Sequence, residues 1–132
     1  IPDFPNLTVP TKAKPTTEQM TDLELAWKMV KMVKSNAIVL VKDGVMIGKG
    51  GGQTSRVEAM EIALGHAGKD AEGAVLASDA FFPFPDSVDL AGEAKVSAII
   101  QPGGAMKDAD VFARCDELNM ATVLTGARSF LH

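Results

Sequence analysis

The sequence predicts an α/β fold with a mostly parallel sheet plus one antiparallel hairpin strand. Three observations predict it. Leu23, Ala26, Trp27, Val30 and Val33 recur at helical spacing, which marks an amphipathic helix with one core-facing stripe. Asp43-Gly44 separates two apolar runs and is a strong two-residue hairpin signal. Helical and strand-like stretches then alternate three times to the end of the chain. Strands joined through right-handed helical crossovers satisfy that alternation, and crossovers leave them parallel.

The elements follow in order. Residues 1–16 carry Pro2, Pro5, Pro10 and Pro15 and read as an extended N-terminal arm. Its Ile1, Phe4, Leu7 and Val9 suit it to lie across a surface. Residues 17–132 read as one domain. Thr16 or Thr17 caps a helix to about Lys34, with Glu18 early in its first turn. Strands are expected over Asn36–Lys42 and Val45–Gly51. Ser55-Arg56-Val57-Glu58 matches a capping box and opens a helix to about Gly68. Gly73–Ser78 is a third strand, and Ser87–Lys95 a helix entered at Asp86. Ser97–Ile100, Lys107–Leu118 and Ala121–Leu124 complete the series as strand, helix and strand.

Composition bounds the function. A chain of 132 residues with 46% hydrophobic and 23% charged residues can bury a real core. A net charge of -4 argues against nucleic acid or an anionic membrane as the main partner. The single Cys115 excludes an intrachain disulfide and a multi-cysteine zinc site, and reads as a core residue. The longest apolar run, Ala37–Val41, is far too short to cross a bilayer. No signal-peptide pattern opens the chain, and a cytoplasmic location is the simple expectation. The first residue is Ile1, which fits a piece of something longer. His66 has no partner at metal-ligand spacing and reads as structural.

Strand direction gathers the unusual residues. The carboxyl ends of four parallel strands share one rim, where open α/β sheets bind ligands. Gly51–Arg56, Asp79–Asp86, Gln101–Gly104 and Thr125–His132 follow those strands in turn. The first strand runs the other way, so Ser35-Asn36 reaches the same rim. The aromatic loop Asp79-Ala80-Phe81-Phe82-Pro83-Phe84-Pro85-Asp86 holds half of the chain's six Phe. Such residues lose solvent only against a core or a ligand. The Gly-rich stretch 50–52 either ends a hairpin or offers backbone N–H groups to an anion or carboxamide. No Gly-Lys-Ser/Thr follows it, so it is not a phosphate loop of the nucleoside-triphosphate type. Arg56 opposes its helix dipole, which favours a ligand role. Asn36 either satisfies loop backbone or reads a ligand. Arg128 is either a solvated charge or an anion contact. No Gly-x-Ser-x-Gly occurs, and the rim carries no obvious general base.

Five motifs in this order carry a resemblance: Ser35-Asn36-Ala37-Ile38-Val39, Gly51-Gly52-Gln53-Thr54-Ser55-Arg56, Ser78-Asp79-Ala80-Phe81-Phe82-Pro83-Phe84, Gln101-Pro102-Gly103-Gly104 and Arg128-x-Phe130-x-His132. The chain resembles the C-terminal part of AICAR transformylase, from the bifunctional purine-biosynthesis family that also carries IMP cyclohydrolase, over about residues 10–132. The resemblance implies a cytidine-deaminase-like three-layer α/β/α fold. It also implies formyl transfer from 10-formyltetrahydrofolate to the ribotide AICAR. Residue by residue, it implies that Asn36 bonds the carboxamide–amine region of the base and that Arg56 contacts that ligand or the folate. Phe81 packs on the planar ring, Asp86 holds the pterin, Gly104 lines the site, Arg128 meets the phosphate and His132 closes it. A potassium ion near Ser35, Asp79 and the tail is a further implication.

Departures limit the carry-over. Ala105 stands where a Ser usually follows the Gly-Gly pair, and Ser129 where bacterial relatives often have His. The family's proton-transferring Lys-His pair belongs to a preceding subdomain, and the cyclohydrolase domain also falls outside these residues, so that activity is not expected. No zinc-deaminase Pro-Cys-x-x-Cys occurs. Three readings stand: half of a formyltransferase completed by a partner carrying the other subdomain, a non-catalytic folate or ribotide binding module, and a self-sufficient enzyme using His132 as base. A homodimer or larger assembly is expected, to cover apolar surface left by the arm and an incomplete site.

Overall fold

The computed structural model describes residues 8–32, 37–50, 56–78, 86–102 and 108–125, without the side chains of residues 56, 57, 86, 87 and 108. Their elements are α1 (Thr17–Val30), β1 (Ile38–Lys42), β2 (Val45–Gly50), α2 (Arg56–Ala67), β3 (Val75–Ser78), α3 (Asp86–Glu93), β4 (Ala98–Gln101), α4 (Asp108–Glu117) and β5 (Ala121–Leu124). A 3-10 turn, Gly68–Ala71, extends α2. Sequence periodicity does not separate that turn from the helix before it. α1 starts with a full capping box: the Gln19 N–H donates to Thr16 Oγ1 at 3.1 Å, and the Thr16 N–H donates to Gln19 Oε1 at 2.8 Å. It ends at Val30, capped by Lys31, rather than running to Lys34. Leu23, Ala26, Trp27 and Val30 form its buried stripe. Val33 lies outside the described residues.

The five strands form one sheet in the order β2-β1-β3-β4-β5. β1 is antiparallel to both neighbours, while β3, β4 and β5 are mutually parallel. The turn between β1 and β2 places Asp43 at φ 54° and Gly44 at φ 79°, the left-handed pair that a tight hairpin demands. Asp22 of α1 ties it down, its two carboxylate oxygens accepting from the Asp43 and Gly44 N–H groups at 3.1 and 3.0 Å. Alternate residues of each strand face opposite layers. Val39, Val41, Val75, Ala77, Ala98, Ile100, Ala121 and Val123 pack with α1. Ile38, Leu40, Leu76 and Ile99 pack with residues of α2, α3 and α4. The result is three layers.

A bulge interrupts the hairpin: Leu40 faces Gly48 and Val41 faces Met46, so Ile47 has no opposite number. α2 then lies unusually close to β2. A Cβ on Gly48 would run into the Ala63 carbonyl oxygen and stand 3.2 Å from Leu40 Cδ1, and a Cβ on Gly50 would run into the Ala59 carbonyl oxygen. α3 and α4 end alike. Lys95 and Asn119 take φ 66° and 56°, and the following N–H groups of Val96 and Met120 bond back to the Ala91 and Cys115 carbonyls at 3.0 and 2.9 Å. Arg114 of α4 pairs with Asp89 of α3 on the surface.

Residues 8–13 run beside β5. Thr8 and Leu124 exchange both backbone hydrogen bonds, at 3.0 and 2.8 Å. Thr11 is buried, and its Oγ1 accepts from the Thr122 N–H at 3.0 Å while donating to the Ala13 carbonyl. Val9 and Ala13 pack on the α1 side of the sheet. Among the described residues, no helix is long and apolar enough to cross a membrane.

Cys115 of α4 is fully buried. Burial pushes its thiol above the ordinary 9.0, and the Asp116 charge pushes the same way. The Thr122 hydroxyl lies beside it and pulls it down, though without a well-formed hydrogen bond.

Two outcomes follow. Gly48→Ala destabilises the domain by about 1–3 kcal/mol in urea unfolding, because backbone rather than a flexible side chain must yield. Above pH 9.0 the unfolded thiol ionises while the native thiol stays protonated, so Cys115 lowers stability as pH rises. Urea midpoints at pH 7 and pH 10 therefore fall more steeply in the native sequence than in Cys115→Ala. Equal slopes would show that the thiol does not titrate differently on unfolding.

Candidate functional site

One rim of the sheet collects every strand end that sequence reasoning placed there. Ile38, at the start of β1, faces Gly50 at the end of β2 and Ser78 at the end of β3. Gln101 ends β4 opposite Leu124 of β5, and its carbonyl accepts from the Thr125 N–H at 3.0 Å. The helices on the second face begin at this rim. Gly50 lies against Ala59 and Gly48 against Ala63, so α2 runs back from the rim along β2. α3 and α4 finish at the other end, where the Gly73 N–H meets the Lys95 carbonyl and Gly92 lies against Leu118. Three helix N-termini thus start where four strands end, an arrangement whose dipoles favour negative charge.

The individual site residues fall largely outside this frame. Ser35, Asn36, Asp79, Phe81, Gly104, Arg128 and His132 lie outside the described residues. Arg56 and Asp86 are the first residues of α2 and α3, at the rim, and their side chains are not described. The Ser55 capping box is also outside the described residues. His66 is exposed on α2. Among the described residues, no three His, Cys, Asp or Glu side chains stand together as a metal site.

Two polar residues of the rim motifs are buried, which the motifs alone do not announce. Ser78 and Gln101 are both fully buried at the ends of adjacent parallel strands. Strand alternation puts both on the face of Leu76 and Ile99, toward α2, α3 and α4. The strand expected to stop at Ile100 runs on through Gln101. A usable signal existed: the run Ala98-Ile99-Ile100-Gln101 ends with a polar residue at a position whose face is apolar.

The far rim has a different character. There the Ser97 hydroxyl bonds the Gly73 and Ala74 carbonyls, Lys42 Nζ donates to the Glu72 carbonyl, and Asp22 holds the hairpin turn. These polar side chains serve loop backbone.

Comparison with known proteins agrees with this geometry. The profile of the family described as AICARFT/IMPCHase bienzyme matches residues 2–66. The bifunctional purine biosynthesis protein PurH of Trichodesmium erythraeum is 54% identical over 132 residues, all of this chain and 26% of that protein. PurH of Bacillus cytotoxicus is 53% identical over 124 residues, 94% of this chain and 24% of that protein. PurH of Bacillus subtilis is 50% identical over 130 residues, 98% of this chain and 25% of that protein. The chain thus spans about a quarter of the length of these relatives. Among solved structures, Acinetobacter baumannii RibD matches with TM-score 0.52 and 19% identity over 81% of this chain and 34% of that one. The dCMP deaminase of cyanophage S-TIM5 matches with TM-score 0.50 and 16% identity over 79% of this chain and 94% of that one. At such identities these two speak for the fold alone, which is deaminase-like. Half-identity to PurH along nearly the whole chain speaks for more: the chain belongs to the AICAR transformylase/IMP cyclohydrolase family of purine biosynthesis, of which it corresponds to one subdomain.

Proposed function

We propose that the chain is half of an AICAR formyltransferase, binding AICAR and 10-formyltetrahydrofolate at the strand-end rim. The observation that carries this reading is identity of 50–54% to PurH over at least 94% of the chain. The rim geometry supports it. A ribotide phosphate suits a place where α2, α3 and α4 present their N-termini. In this reading Arg128 adds the guanidinium, Phe81 covers the planar base, Asn36 bonds its carboxamide–amine region and Arg56 contacts the base or the folate. Asp86 accepts from the pterin, Gly104 allows close approach and His132 closes the site. Potassium near Ser35 and Asp79 belongs to the same proposal.

The reaction sets what these residues must do. The 5-amino nitrogen of AICAR attacks the formyl carbon, the bond from that carbon to N10 of the folate breaks, and the amine proton passes to N10. Holding nitrogen and carbon in line is the contribution of this chain, and positioning of two bound reactants can lower a barrier substantially. Proton transfer is assigned to a Lys-His pair in a segment or partner outside these residues. Exposed Met32, Val45 and Met46 give such a partner, or a second copy, apolar surface to cover. A non-catalytic folate or ribotide module is the second reading, favoured by the lack of an evident base along the rim.

Incubation of the chain with AICAR and 10-formyltetrahydrofolate, following tetrahydrofolate release, separates the two. The expected outcome is binding of both ligands, no turnover alone, and turnover once the remaining three quarters of a PurH relative are supplied. Binding without rescue selects the module, and failure to bind either ligand defeats both.

A further inference from the structure

We propose that the Gln101 side-chain carboxamide is a ligand-reading group of the rim, bonding an in-plane amide edge of a bound substrate. Gln101 is 0% exposed, and among the described residues neither Oε1 nor Nε2 has a hydrogen-bond partner. A buried carboxamide without partners is costly, because it gives up water at both ends and gains nothing. No fold-building bond of the Gln101 side chain is present among the described residues. Its backbone carbonyl already serves the sheet through the Thr125 N–H. Packing alone would be served by Leu or Met, as by Leu76 and Ile99 on the same face.

Among the described residues Thr122 Oγ1 in β5 is also unpartnered, but two other polar side chains reaching into this sheet behave differently. Thr11 is as buried as Gln101 and bonds both Thr122 and Ala13. Ser97 bonds two carbonyls at the far rim. Gln101 sits instead at the ligand-facing end, in the strand next to buried Ser78, on the side where three helices begin.

The chemistry of its partner follows from the group. A primary carboxamide offers one donor and one acceptor side by side in a plane. Its complement offers the reverse: a second carboxamide, or the N–H and C=O of a ring lactam. Resting on the functional reading above, the two sources are the AICAR carboxamide and the pterin lactam of the folate, which share this edge. Gln101 would be a specificity-determining contact, holding the substrate without joining the bond changes.

Gln101→Leu and Gln101→Met test this, with thermal melting and separate calorimetric titrations of AICAR and tetrahydrofolate into the 132-residue chain. Because each variant removes an unpaired buried group at similar volume, Tm is expected to stay or rise by a few degrees. Affinity for one ligand is expected to fall on the order of tenfold. Loss on the AICAR titration names the ribotide as source, and loss on the tetrahydrofolate titration names the pterin. Should both variants melt lower yet bind both ligands unchanged, a structural role, with water completing the carboxamide, replaces this one. Native chain that binds neither ligand overturns the functional reading and this inference together. Native binding that both variants retain in full overturns the inference alone.

Discussion

The direction of β1 is the constraint on which the rim depends. β1 lies between β2 and β3 and runs against both. The chain therefore enters the sheet at the same rim where β2, β3, β4 and β5 leave it. That reversal is enforced by two residues. Asp43 and Gly44 both take positive φ, and Asp22 locks the turn from α1. A longer or looser connection would free β1 to sit elsewhere, and its leading residues would part from the other strand ends. A turn at the far rim thus fixes what assembles at the near one.

The second constraint is steric. β2 can carry α2 so closely because Gly48 and Gly50 present no side chain to the Ala63 and Ala59 carbonyls. α2 in turn is aligned to begin at the rim. Small residues on both partners, Gly on the strand and Ala on the helix, convert a sequence that looks weakly apolar into a tight layer. The two sheet edges then differ. The β5 edge is closed by residues 8–13, through the Thr8–Leu124 pair and the Thr11 hydroxyl. The β2 edge has no strand beside it among the described residues, and Val45 and Met46 stand exposed there. Open edges invite pairing.

Much of this was legible in the sequence. Asp43-Gly44, the apolar stripe of α1 and the alternation after residue 50 determine element types, strand directions and the rim, since each is a local pattern with one geometric solution. Less local features were not. The bulge at Ile47, the end of α1 at Val30 and the 3-10 turn after α2 arise from packing between elements, which no short window records. The Thr16–Gln19 capping box is written in the sequence as Thr-x-x-Gln, beside the dipole charge of Glu18. For the site, motif resemblance named residues that lie in the connections beyond the strand ends. Gln101 stood in the Gln101-Pro102-Gly103-Gly104 motif, but that pattern does not tell that its side chain is buried and unpartnered. Its burial and its lack of partners arise from packing around the side chain, which no short window records.

The unpartnered carboxamide gives the rim its chemical character. A fold that specifies one structure aligns pattern, packing and polar satisfaction at each level, and departures concentrate where function takes over. On the α1 side of the sheet the alignment is complete: the strand residues are apolar, and the one buried polar side chain beneath the arm, Thr11, is fully paired. On the other side it holds through Leu40, Leu76 and Ile99 and then breaks at the last residue of β4. The break coincides with the end of the sheet where helix N-termini gather. Random relaxation of packing would scatter such breaks over both rims and both faces. Among the described residues Thr122 is the other unpaired polar side chain: it lies in β5 away from the strand's end, beside the Cys115 thiol, and a lone hydroxyl there costs less than a whole carboxamide. The larger unmet group, the Gln101 carboxamide, therefore points toward whatever occupies the rim at the end of β4.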